Sequence, residues 1–173
     1  NDTATTEIYT SLFVGSVSVY KRQVIANLLL NFFAQAGHES QKGERDAYRA
    51  WVLQSVRDVW TLFRAEFLRL WRENPTGDAY PLALFAGARG AARLEVERQV
   101  FLDRLLVDTL GFAGAKMIRR ILGLAHNLDL ESIADRGRRA ACERPALQLA
   151  RELIVETARF TSIDHVTHRA QQS

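Results

Sequence analysis

The sequence predicts a mainly α-helical body preceded by a short irregular or β-like strip, and three observations predict it. From Val24 onward, apolar residues recur at three- and four-residue spacing, the period of a helix face. Proline and glycine interrupt this pattern at few places, of which "NPTGDAYP" (74–81) is the clearest. Residues 1–23, "NDTATTEIYTSLFVGSVSVYKRQ", lack the helical period and are rich in Thr, Ser, Val and Tyr. Alternation in "SVSVY" suggests one or two short strands, turning near Gly15.

The first helical stretch, "VIANLLLNFFAQ", is apolar nearly all round and should be a central helix that stops near Gly37. Glu44 to Asn74 is long and amphipathic, with Trp51, Trp60, Phe63, Phe67, Leu70 and Trp71 along one stripe. At 1.5 Å per residue it would reach roughly 45 Å, so a bend is allowed for. "ALFAGARGAARLEVERQVFLDRLLVDTLG" follows, loose at its start, firmly helical from Leu94, and with a kink allowed for at Gly111. "GFAGAKMIRRILGLAHN" continues the helical pattern, and "NLDLESIADRG" reads as a loop. "RRAACERPALQLARELIVETARF" is another amphipathic helix, expected to kink or restart at Pro145. Thr161 is the expected cap of a short last helix in "TSIDHVTHRAQQS".

Composition bounds the function. With 173 residues the chain is long enough to bury a real core as one domain. Its apolar 47% and charged 25% are those of an ordinary soluble protein, and no apolar run reaches a membrane span. The net charge of +3 is too small to imply nucleic acid, because arginines share their helices with Glu and Asp. A single cysteine, Cys142, excludes a disulfide framework and a cysteine zinc site, which suits a cytoplasmic setting.

Most polar residues have bland readings. His165 and His168 lie three apart on the last helix without a third metal ligand at suitable spacing. "GARGAAR" follows a proline turn and no strand, unlike a phosphate-binding glycine loop. The Trp and Phe stripe reads as helix packing, and Asn27 and Asn31 as hydrogen-bonded core or groove residues. Cys142 reads as packed or half exposed, and "DRGRRAACER" as a solvated helix start.

"TLGFAGAKMIRRILGLAHN" (109–127) is less ordinary. At 100° per residue, Met117, Ile118, Ile121, Leu122, Leu124 and Ala125 fill one arc. Lys116, Arg119, Arg120, Gly123, His126 and Asn127 fill the other. A plain surface helix fits this pattern. Surface stripes usually mix signs, however, and this one has no acid between Thr109 and Leu128. Gly111, Gly114, Ala115 and Gly123 also suggest close approach of another segment or a ligand. Guanidinium forks hold phosphate oxygens in fixed directions, so an anion site is the second reading.

"DTLGFAGAKMIRRILGLAHNLDLESIAD" with "RRAACERPALQLARELI", and upstream "VIANLLLNFFAQ" and "FRAEFLRLW", resembles 5-methylthioribose kinase over roughly Val24 to Val166. The resemblance implies the helical C-terminal lobe of a protein-kinase-like fold over 24–173, with 1–23 an atypical segment outside the family pattern. It implies an enzyme of methionine salvage that moves the γ-phosphate of ATP to the 1-hydroxyl of 5-methylthioribose with Mg²⁺, typically as a homodimer. Arg119 and Arg120 then correspond to the paired arginines that contact the sugar and the transferred phosphoryl group. Lys116 and His126 are weaker neighbours. The glycine-rich loop, strand lysine, His-Gly-Asp catalytic loop and Asp-Pro-Glu metal motif of that family are absent from the sequence, including the missing N-terminal kinase lobe. The chain itself is therefore expected to lack catalytic and metal-binding residues and to be inactive alone. A truncated fragment or a frameshift before Val24 would explain this, the frameshift being preferred. Coding DNA read in its other frames should then reveal both motifs. The contrasting expectation is a small all-α binding or regulatory module whose arginine stripe meets nucleic-acid phosphates.

Overall fold

The computed structural model describes residues 23–74 and 80–173. The strands expected in "SVSVY", the boundary at residue 23 and most of "NPTGDAYP" lie outside the described residues. Among the described residues there is no strand, and the body is helical.

Helix α1 covers residues 23–37 and is buried on most sides, as its all-round apolar pattern requires: Ile25, Ala26, Leu29 and Leu30 are fully covered. Its asparagines depart from expectation. Asn27 is exposed, and Asn31 is half-buried with its Oδ1 covered and without a hydrogen-bond partner. Helix α2, Asp46–Glu73, buries Val52, Leu53, Val56 and Trp60. Trp51, at the start of the expected stripe, is 59% exposed, its ring tilted against that of its neighbour Tyr48. Further along, Phe67 and Trp71 pack against Phe101 and Tyr80, so the rings do join helices at that end.

After a 3₁₀ turn at Leu82–Phe85, helix α3 runs unbroken from Gly87 to Leu122. The expected loose start does not occur, and the helix is not interrupted at Gly111. A Cβ at Gly111 would meet nothing within 4 Å, so no close neighbour requires a glycine there. Gly111→Ala should therefore raise stability by about 0.5–1 kcal/mol, read from the midpoint of urea unfolding.

The expected loop "NLDLESIADRG" contains a short helix α4, Leu128–Glu131, capped by the Asn127 side chain, which accepts from the Leu130 amide. Helix α5, Arg136–Val155, continues through Pro145 without a restart. Ala141, whose carbonyl loses the proline's missing N–H, is exposed, which leaves that carbonyl within reach of water. A 3₁₀ turn at Thr157–Arg159 leads to α6, Ile163–Gln171. Its cap is Ser162, which accepts from the His165 amide. Thr161 instead faces the His165 ring at 3.2 Å.

The core joins α1, α2, α3, α5 and α6 through Leu29, Leu53, Leu110, Met117, Leu149, Leu153 and Val166, all at most 1% exposed. Burying each such side chain is worth about 1.5–3 kcal/mol. This packing fixes the C-terminal end of α3 above α4 and α5, where the cationic stripe lies.

Candidate functional site

The site begins with the end of α3. Gly123 closes the helix, its amide donating to the Arg119 carbonyl at 3.0 Å. Residues 123–127 then turn back into α4. Arg120 is half-buried and bends into this turn: its Nη1 donates to the carbonyls of His126 at 2.9 Å and Ala125 at 3.3 Å. Its Nε is covered and has no partner among the described residues. Arg119 is exposed, and its guanidinium has no hydrogen bond or ion pair among the described residues. Burial lowers the Lys116 pKa, and the charges of Arg120 and Arg119 lower it further, so these three cations share one neighbourhood.

Beside Arg120 lies an open cleft of about 170 Å³, lined by Arg120, His126, Glu131, Arg139 and Glu143 among others. His126 Nδ1 is 2.8 Å from Glu131 Oε1. Arg139 donates to the carbonyls of Glu131 at 2.8 Å and Ile133 at 2.9 Å, tying α4 to α5. His38 Nε2 sits 2.8 Å from the Asp129 carbonyl and ties α1 to the same helix.

Lys116 lies within electrostatic reach of Arg120 and Arg119, and Arg120 and His126 line the same cleft. The structure does not bring both arginines to the cleft: Arg120 lines it and Arg119 stands outside. It also supplies carboxylates that local sequence lacked, Glu131 and Glu143, which lie 11 and 23 positions after Arg120 and meet it only through folding. Asn127 followed by Asp129 and Glu131 was a readable capping signal for the helix that carries Glu131. Of the small residues, Gly114 marks close packing with α5, the Ala150 carbonyl lying 2.5 Å from where a Cβ would be.

The chain is similar in sequence to known proteins. Methylthioribose kinase 2 of Oryza sativa subsp. japonica is 38% identical over 161 residues, covering 92% of this chain and 37% of the relative. Methylthioribose kinase of Escherichia coli O45:K1 (strain S88 / ExPEC) is 36% identical over 159 residues, 92% of the chain and 38% of the relative. That of Yersinia enterocolitica is 36% identical over 163 residues, 93% of the chain and 37% of the relative. Methylthioribose kinases are its homologues. The chain matches their helical C-terminal part and spans little more than a third of their length. No protein-family model matches the chain.

A methylthioribose kinase lobe of mainly α structure is what the sequence resemblance implied, and the described helices agree with it. The family implies magnesium. Among the described residues no three His, Cys, Asp or Glu side chains come together as a metal site, so these residues do not fit the ion. His165 and His168 are engaged by Thr161 and Gln172. Cys142 is buried between α5 and α1, and burial pushes its thiol pKa up. No helix among the described residues is long and apolar enough to cross a membrane.

Proposed function

We propose that this chain is the substrate-side helical lobe of an ATP-dependent kinase that phosphorylates the 1-hydroxyl of 5-methylthioribose in methionine salvage. The observation that carries the reading is identity of 36–38% along 92% of the chain with methylthioribose kinases. The site supports it chemically. Three cations collect at an open helix end, and one guanidinium is unengaged among the described residues. A planar guanidinium matches two phosphate oxygens at once, and it offsets the negative charge that gathers where a phosphoryl group moves.

In this reading Arg119 and Arg120 form the substrate-side cationic group, with Lys116 and His126 as neighbours. ATP supplies the phosphoryl group in the intact enzyme, which is homodimeric and cytoplasmic, and the nucleotide, the metal and the catalytic aspartate are held by its remaining part. The chain alone binds the sugar and does not catalyse transfer.

Calorimetry with 5-methylthioribose tests this. Binding should be measurable at low salt and fall at least about tenfold when Arg119 and Arg120 are both replaced by alanine, the loss of one or two charged hydrogen bonds. No binding to the unaltered chain overturns the reading. Steep salt-dependent affinity for duplex DNA would instead favour an anion-binding module that meets a nucleic-acid backbone.

A further inference from the structure

We infer that the distal halves of α2 and α3 form an arm, a conformational unit of its own that opens while the rest of the lobe stays folded. The arm comprises 64–73, the 3₁₀ turn Leu82–Phe85 and the first part of α3 up to Asp103.

The main core reaches along α2 no further than Trp60 and Phe63, and on α3 it starts only at Leu105. Before that line α3 runs for roughly 25 Å at 1.5 Å per residue. Leu94, Arg98 and Leu102 are buried there, at 6%, 8% and 0% exposure, yet stand outside the main core. A second nucleus of rings accompanies them. Phe101 stacks on Phe67 with 5.8 Å between ring centres and meets Trp71 edge-on at 5.2 Å, and Tyr80 closes on Trp71 at 5.2 Å. The Arg98 guanidinium lies 5.7 Å from the centre of the Trp71 ring.

Polar ties keep to the same boundary. Arg64 donates to Gln99 at 2.6 Å and lies 3.6 Å from an Asp103 oxygen. Arg72 pairs with Glu95, which also accepts from Arg98 at 3.3 Å. At the tip, Gly90 lies against the backbone of Phe85 with no room for a Cβ. Leu70, Val96 and Val100 stay exposed. Helices α5 and α6 hold α3 at Gly114 and α2 at Arg57, both on the core side of the line.

Opening the arm therefore exposes only the second nucleus, and its exposed ion pairs add little. Global unfolding must expose Leu53, Leu110, Met117, Leu149 and Leu153 as well. The partial opening is the smaller step, and it needs no hinge residue: both helices unwind from the tip inwards until they meet the core.

Native-state amide hydrogen exchange of the full chain in mild urea tests this. Amides of 67–72 and 92–101 should exchange together, on the order of a hundredfold faster than those of 110–117 and 146–153. Trp71→Ala should speed the arm by on the order of a further hundredfold and leave the second group unchanged. Leu149→Ala should do the reverse, quickening 110–117 and 146–153 while the arm keeps its rate. A single shared rate for both groups in the unaltered chain overturns the inference. So does a Leu149→Ala chain whose arm also quickens. Trp71→Ala overturns it equally by speeding both groups alike, by leaving the arm unchanged or by unfolding the whole chain.

Discussion

Glu152→Ala should lower the unfolding free energy by about 3 kcal/mol, because it strands a largely covered guanidinium. Glu152 is 5% exposed on α5 and takes a two-pronged grip from Arg169 of α6, Nε to Oε2 and Nη2 to Oε1, both 2.7 Å. Gln148 adds a third bond at 3.1 Å. Removing the carboxylate leaves Arg169, its side chain 15% exposed, without its partner in a poorly hydrated place. For a chain of this size the loss corresponds to roughly 6–12 °C in Tm. The double variant Glu152→Leu with Arg169→Met should recover most of it, since the pair's attraction is largely spent on desolvating its two members. Differential scanning calorimetry of both variants decides the matter; equal damage in each would mean that shape, not charge, holds the helices together. The pH dependence has a definite sign. Hydrogen bonds from Arg169 hold the Glu152 carboxyl below the usual carboxylate range against the opposing pull of burial. A depressed folded pKa contributes stability above the unfolded value of about 4.3, lost as pH falls through the folded one. The gap between the unaltered chain and Glu152→Gln should therefore narrow in acid.

Gly114→Val should cost about 3 kcal/mol, the upper end of overpacking penalties. Two effects oppose each other at this position. A glycine inside a helix is about 1 kcal/mol worse than alanine, so substitution gains backbone order. But α3 meets α5 here backbone to backbone: an added Cβ would stand 2.5 Å from the Ala150 carbonyl and 3.0 Å from Ile154 Cγ1. The carbonyl belongs to α5's own hydrogen-bond ladder and cannot swing aside, so the helices must separate and the covered Leu149, Leu153 and Met117 lose contact. Repulsion wins. Equilibrium urea unfolding checks it, and an unchanged midpoint would show that the helices slide apart freely. The contrast with Gly111, three residues earlier and open, separates the two effects on one helix.

The helices were legible because burial writes a period into the sequence. The all-round apolar run of α1 and the amphipathic spacing of α2 located both helices, since nearly every residue there reports the same face. Irregularities misled for a physical reason. Gly111 and Pro145 weaken helices locally, yet packing along Leu110, Met117, Ala146 and Leu149 on the same helices outweighs them. The apolar arc was overextended at Leu122 and Leu124, 71% and 97% exposed, because the helix ends at Leu122 and periodicity says nothing beyond it. At the candidate site, the cationic stripe was visible as local spacing. The carboxylates opposite it, and the bend of Arg120 into its own turn, depend on where α4 and α5 come to rest.

The bond between His38 and Asp129 joins positions 91 apart in the chain. Closing so long a loop must be met entropically before the contact gives anything back, so the floor beneath the cationic stripe is assembled late on the folding route. His38→Ala should accordingly hasten unfolding while leaving refolding speed nearly untouched in stopped-flow traces. A newly made copy would thus acquire its long helices first and the contact between the end of α1 and α4 last.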